Sequence, residues 1–358
     1  MLFIIKLILI SLIAYLLIKQ VIKYAHQIHL LDIPNERSHH CNIIPSGAGI
    51  GFVLAFLIGI VVFELQLLFE YWFVFLAIFM VFAMGVYDDR HDVSPKLKFI
   101  AIFLAVILMF VNGIGIDTLG TWFGYELTLV WWIALPFTMF AIAGFTNALN
   151  LIDGIDGLSA STSIVILLFF ALIGLEYKDH TIVILSTFTT ASIIGFLFLN
   201  WNPAKIFMGD SGSLTLGFII AVLAMLSIQH IHPITILYLA ALPVLDTLIV
   251  MIRRIRRGKS PFRPDKTHIH HIMVKFFEMN VRKTVIFLVI LQMVFSGVGY
   301  LLIDTIKNNT SISVESFALI GFVLMFLMFY MIFTGIKKRQ KALDNKLQDK
   351  KFSYEYTI

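Results

Sequence analysis

Eleven apolar runs, separated by short polar or turn-forming stretches, commit this chain to a membrane bundle. They lie at roughly 1–18, 48–66, 70–87, 99–111, 129–146, 159–175, 181–199, 212–228, 233–251, 284–303 and 315–336. Crossing about 30 Å of hydrocarbon takes about 20 apolar residues in a helix, and the second and third runs form a tight hairpin around Glu70. Composition agrees: of 358 residues 59% are hydrophobic and only 14% charged, less charge than a soluble domain carries. The runs use nearly the whole chain, so no separate soluble domain of ordinary size is left. Cys41 is the single cysteine, which excludes an intramolecular disulfide. The first run holds only Lys6 as a charge and no small-residue cleavage site follows it, so it reads as a retained span. The expected fold is an all-α integral membrane protein, a polytopic bundle of about eleven transmembrane helices over residues 1–336 with a basic tail at 337–358.

Charge sets the expected orientation. Apart from Lys6, Lys178 and Lys307, all 27 lysines and arginines fall in alternate connections, at about 19–47, 88–98, 200–211 and 252–283, or in the tail. That asymmetry makes this set cytoplasmic and the N-terminus periplasmic. The net charge of +5 then reflects topology, not nucleic-acid binding. The unusual polar motifs share the same face. A transporter would hold them near mid-membrane, whereas one face suits an enzyme that meets a soluble substrate and a lipid.

The stretch Asn147-Ala-Leu-Asn-Leu-Ile-Asp-Gly-Ile-Asp-Gly-Leu158 stands between two apolar runs. Asn147, Asn150, Asp153 and Asp156 recur three residues apart, roughly one helix face. Gly154 and Gly157 let the backbone turn or a ligand approach. One Asp-Gly would read as a polar turn. Four polar side chains in register beside lipid read as functional.

Val86–Asp92 closes the third run with Asp88, Asp89 and Asp92. Three carboxylates there repel unless a proton or cation intervenes, and oxygen ligands favour magnesium or manganese. Asn200–Leu214 enters the eighth run. Its Asp210 can cap that helix or bind metal, and a helix N-terminus attracts phosphate. Phe207 can stack on a base or face lipid.

Arg253–His271 is the largest loop of the set and holds His268, His270 and His271. Without a nearby cysteine or a His-Glu-x-x-His pattern, zinc is weakly supported. Imidazoles among Arg and Lys suit a polyphosphate, and a positive-inside anchor accounts equally well for Arg253–Arg257. Asp32–Gly47 has no assignable role alone. Asp246 shares a helix face with Arg253 and Arg254, as a structural ion pair or a catalytic group. Neither a Walker A loop nor a Gly-x-Gly-x-x-Gly fingerprint occurs.

In order and on one face, these motifs resemble those of the polyprenyl-phosphate N-acetylhexosamine-1-phosphate transferases, over about residues 1–336. Asp88-Asp89, Asn147–Leu158 and Phe207–Leu214 are similar to motifs shared across that superfamily. Ser260–His271, ending His-Ile-His-His, resembles its GlcNAc-1-phosphate branch. Ala48 stands in Pro45–Gly49 where relatives often carry glycine. The resemblance implies transfer of a sugar-1-phosphate from a UDP-N-acetylamino sugar, expected to be UDP-GlcNAc, to undecaprenyl phosphate, with release of UMP. It implies the bacterial cytoplasmic (inner) membrane and the first membrane step of a cell-envelope polysaccharide. It also implies magnesium, or manganese, with Asp210 and Asp89 as ligands. Asp88 would be the base on the lipid phosphate, with Asp89 and Asp156 completing the catalytic set. Asn147, Asn150, Asp153 and Asp156 would hold the nucleotide and Phe207 would stack on uracil. His268, His270, His271, Arg263 and His40 would contact the diphosphate or sugar. Direct attack and an aspartyl intermediate both stay open, as does another UDP-N-acetylamino sugar. Partners are the two substrates and the bilayer, with a homodimer admitted. In other classes stand an ion-coupled transporter built on Asp246 and a non-catalytic scaffold.

Overall fold

The computed structural model describes residues 1–32, 43–91, 93–259, 267–308 and 314–355. In chain order the elements are α1 (Leu2–Tyr24), β1 (Leu31–Asp32), β2 (Ile44–Pro45), α2 (Gly49–Phe63), α3 (Leu65–Glu70), α4 (Trp72–His91), α5 (Pro95–Val111), β3 (Thr118–Trp122), β4 (Tyr125–Thr128), α6 (Trp131–Ile152) and α7 (Leu158–Glu176). Then follow α8 (His180–Asn200), α9 (Asp210–Ser227), α10 (Pro233–Leu239), α11 (Ala241–Ile255), α12 (Ile269–Phe276), α13 (Val281–Asn308) and α14 (Val314–Glu355). The two strand pairs are short antiparallel hairpins.

Every apolar run holds a helix, but the helices are not equally long. Among the described residues eight are long and apolar enough to cross a membrane, or nine if α10 and α11, bent by 87°, form one span. At 15 and 17 residues, α2 and α5 reach only about 22 and 25 Å. α14 runs on from its apolar part into the expected basic tail as far as Glu355.

Burial separates core from rim. α9 is 89% buried along its apolar window and α1 only 17%. α2, α4, α6, α7 and α8 all pack on α9, which makes it the central helix of the bundle. Hydroxyls inside α8 cost little, since Ser186, Thr189 and Thr190 donate to carbonyls one turn back. At the α10–α11 break the ladder is interrupted in an apolar setting, where unmet backbone groups are expensive. Gln292 of α13 resolves this: its Oε1 accepts from Leu242 N at 2.9 Å and its Nε2 donates to Leu239 O at 2.7 Å.

The bundle has two chemically distinct ends. At one, Lys6 of α1 pairs with Glu64 after α2 at 2.8 Å, and His180 of α8 reaches the same carboxylate at 3.1 Å. The β3–β4 hairpin shares that end, since it connects α5 to α6. The other end gathers the C-terminus of α4 and the N-terminus of α9. There the 45–49 stretch is laced to the 207–208 stretch by Phe207 N to Pro45 O, Ala48 N to Phe207 O and Gly49 N to Met208 O, all at 2.9–3.1 Å.

Candidate active site

The two adjacent aspartates at the end of α4 do different work. Asp88 is buried and holds Lys98 Nζ at 2.7 Å, while its Oδ1 accepts from Val93 N at 2.8 Å. Asp89 turns the other way: its two oxygens accept from the backbone N–H groups of Asp210 and Ser211, at 2.6 and 3.1 Å. It thereby caps the N-terminus of α9, where unpaired N–H groups and the helix dipole favour an anion. Gly209 makes this approach feasible. Its φ is +71°, and a Cβ there would lie 2.7 Å from Asp89 Oδ2.

Asp210 closes the group. It is ion-paired to the same Lys98, and its Oδ1 accepts from Asn150 Nδ2 at 3.0 Å. Asn150 also donates to Ser213 Oγ at 2.7 Å. Lys98 was read from sequence only as a topology charge, yet it bridges Asp88 and Asp210. Its signal was position: a cation one turn into a helix that starts beside three aspartates.

Asp153 follows the last residue of α6. Burial raises its proton affinity well above the usual carboxylate range, and the charges of Asp210, Asp156 and Asp89 push the same way. Asp156 spends Oδ2 on Asn202 Nδ2 and Ala204 N, at 2.8 and 3.0 Å, and so fixes the approach to Phe207. Asn200, which sequence reasoning also passed over, joins the same two loops. It accepts from Gly157 N and donates to Ile206 O, both at 2.9 Å. Asn147 lies one turn before Asn150 on α6, partly buried.

The histidines come in from the C-terminal half. Asp246 of α11 is buried and accepts from Ile269 N at 2.8 Å, with His268 Nδ1 at 2.9 Å from its other oxygen. An imidazole donating from Nδ1 to a carboxylate is fixed in tautomer and ring plane. His268 and His270 stack at 5.8 Å, and His270 and His271 lie 4.2 Å apart. His270 rests on Gly154, where a Cβ would come within 2.2 Å of its Nε2. This close approach joins the histidine segment to the Asp153–Asp156 loop.

The profile of glycosyl transferase family 4 matches residues 71–228, the stretch from α4 through α9. A Bacillus subtilis protein named probable undecaprenyl-phosphate N-acetylglucosaminyl 1-phosphate transferase is 35% identical over 296 residues, 80% of this chain and 81% of its own. The Escherichia coli K12 and Yersinia pestis undecaprenyl-phosphate alpha-N-acetylglucosaminyl 1-phosphate transferases are 33% and 32% identical, over 71% of this chain in each case. The chain belongs to glycosyl transferase family 4. In this member the family match holds Asp88, Asp89, Lys98, Asn147, Asn150, Asp153, Asp156, Phe207 and Asp210, all within one end of the bundle.

The remaining expectations distribute as follows. Phe207 is partly exposed, its backbone tied to Pro45 and Ala48. Arg253 donates to Thr334 Oγ1 at 2.9 Å and to Thr267 O at 3.3 Å, and lies over the Tyr330 ring. His40, Asp92 and Arg263 lie outside the described residues. The transporter reading is not favoured. Its one charge, Asp246, is engaged with the histidine segment at the site end.

Among the described residues, no three acidic or imidazole side chains converge as a ready metal cage. Lys98 takes the place between Asp88 and Asp210 where a cation would otherwise be needed. The donor chemistry still suits a hard divalent ion, because every carboxylate and amide offered is an oxygen ligand.

Proposed function

We propose that this protein transfers N-acetylglucosamine 1-phosphate from UDP-GlcNAc to undecaprenyl phosphate, releasing UMP. The observation that carries the reading is a cavity of about 580 Å³. Its lining is almost wholly apolar, and it runs between α6, α9, α10 and α11 past Ala148 and Met251. Ala148 is two residues from Asn150, so an isoprenoid chain in the groove brings its phosphate to the carboxylates. The relatives are named for this acceptor and this sugar.

In this reading an oxygen of the lipid phosphate bonds to the sugar-bearing phosphorus of the donor. The bridging oxygen leaves with UMP. Asp88 takes the lipid phosphate's proton, and Lys98 holds Asp88 and Asp210 at the right separation. A two-step route through an aspartyl phosphate gives the same products. Asp210 and Asp89 would hold magnesium or manganese, which when bound neutralises the diphosphate and the departing UMP. Asn147, Asn150 and Asp153 face the nucleotide with Phe207 on the base. His268, His270 and His271, held by Asp246, meet the diphosphate or sugar, with His40 and Arg263 joining them. Asp156 acts by fixing the 202–204 turn.

We place the site on the cytoplasmic face of a bacterial inner membrane, with α2, α5 and α10–α11 completing eleven crossings and the N-terminus outside. Lysines and arginines crowd the site end, as the positive-inside rule requires. Reporter fusions at Gly113 and Lys307 should read periplasm and one at Lys259 cytoplasm. A homodimer is the assembly to test, by mass in detergent.

Purified protein, undecaprenyl phosphate, magnesium and UDP-GlcNAc should yield UMP and a lipid diphospho-sugar. The same assay with UDP-GalNAc and a 6-deoxy UDP-HexNAc sets the sugar. A higher kcat/KM for the 6-deoxy donor would overturn GlcNAc and leave the phosphotransfer standing. No UMP from any donor would overturn the whole reading.

A further inference from the structure

The apolar groove is lined by more than helices. Its far wall is made by Ile116, Leu119, Trp122 and Leu127 of the β3–β4 hairpin region, at the opposite end of the bundle from the carboxylates. The hairpin is pinned from two sides. Ile116 N donates to Thr138 Oγ1 of α6 at 3.0 Å. His232, the N-cap of α10, has Nε2 at 3.2 Å from Thr121 O, and its ring meets the Trp122 ring edge-on at 5.1 Å. The Trp122 indole is fixed in turn, donating from Nε1 to Leu119 O at 2.8 Å. These contacts tie the wall to α6 and α10, two of the helices that flank the groove.

We propose that this hairpin, with Trp122 at its centre, is a specificity element that reads the distal isoprenoid units of the acceptor. The inference rests on the acceptor reading given above. A short isoprenoid phosphate fills only the stretch near Ala148 and Met251 and never meets Trp122. A long one runs the length of α6 from Ala148 to Phe137, about 16 Å, and then packs its next units on the indole. Its polar edge is already satisfied by Leu119 O, so the face turned to the groove is purely apolar. Contacts made far from the reacting phosphate can still raise kcat/KM, because remote binding energy helps to hold the reacting centre. The exposed aromatics Phe123, Tyr125, Trp131 and Trp132 beside it are the kind that anchor an element at a membrane interface, which puts the wall where a long chain would emerge.

The test compares farnesyl phosphate with undecaprenyl phosphate as acceptors, using full-length protein, UDP-GlcNAc and magnesium. Trp122→Ala and, separately, Leu119→Ala should narrow the long-to-short ratio of kcat/KM by about tenfold, the scale of one lost apolar anchor. Trp122→Phe, which keeps a ring, should restore most of it. An unchanged ratio in both alanine variants overturns the proposal, whether their absolute activity is high or low. Leu119→Ala keeps the test open if Trp122→Ala does not accumulate. Failure of the acceptor reading itself looks different: the parent protein would turn over neither lipid phosphate.

Discussion

The two ends of this bundle treat several of their acids differently. At the hairpin end three have cationic or hydroxyl partners of their own: Glu64 holds Lys6 and His180, Asp179 holds His230, and Glu176 accepts from Tyr300. At the site end Asp88 and Asp210 share the ammonium of Lys98, Asp89 accepts from the backbone N–H groups of Asp210 and Ser211, and Asp153 is pushed toward its protonated form. A fold that pairs acids so readily at one end could do so at the other. On the proposed function this excess of carboxylates over cations would receive a cation and anionic substrates, at some cost in stability.

The sharpest break in that contrast is removal of charge from the shared pair. Asp210→Asn should cut kcat by about a thousandfold, since it removes charge stabilisation at the reacting phosphates. Excess EDTA should abolish turnover of the parent protein, with magnesium restoring it. Full activity in EDTA would end the metal proposal and leave Lys98 as the only cation the site needs.

Lys98→Met tests whether the lysine and the divalent ion share one charge deficit. The variant should lose about a hundredfold in kcat, as positioning losses do. Its half-saturating magnesium concentration should fall, because the carboxylates left behind attract the ion more strongly. A rise in that concentration would mean that Lys98 assists the ion and does not compete with it.

Much of this was legible in the sequence, and for physical reasons. Hydrophobic length reports helices reliably where lipid is the solvent, so each apolar run appears as a helix. What the runs could not report was the α10–α11 bend, because Gln292 and Ser296, which satisfy the broken ladder, lie some 50 residues further on. Asp88, Asp89, Asn150, Asp153 and Asp210 stood out because polar groups beside lipid are expensive. Lys98 and Asn200 did not. A lysine at a membrane edge has an ordinary explanation in topology, and an asparagine at a helix end has one in capping. Their partners include groups 112 and 43 residues away, which local pattern alone does not single out.

Asp153→Asn approaches the comparison through stability. The folded state raises this carboxyl's proton affinity, so the fold binds more protons than the unfolded chain between the two pKa values. Stability therefore falls as pH rises through that window and stays low above it. The amide removes the penalty. Without added metal, the variant should melt higher than the parent at neutral pH and converge with it in acid, while losing activity. Equal melting temperatures at neutral pH would mean that the charge is already compensated.

The smallest effect is expected at the other end. Glu64→Gln leaves an acceptor for Lys6 and His180 but removes the charge that both address. The pair is partly buried, with side-chain exposures of 22% for Lys6 and 15% for Glu64, so it is worth more than a fully exposed ion pair. Its loss should cost about 1 kcal/mol, a drop of roughly 1–2 °C in a protein of this size. Turnover should stay near that of the parent, because Glu64 touches α1, α2 and α8 and nothing at the site. The sign is the informative part: neutralising an acid should destabilise at this end and stabilise at Asp153. A thermal-shift series of the two variants in one detergent measures both. If Glu64→Gln also raised the melting temperature, the acids at the two ends would be alike, and the excess at the site would no longer set it apart.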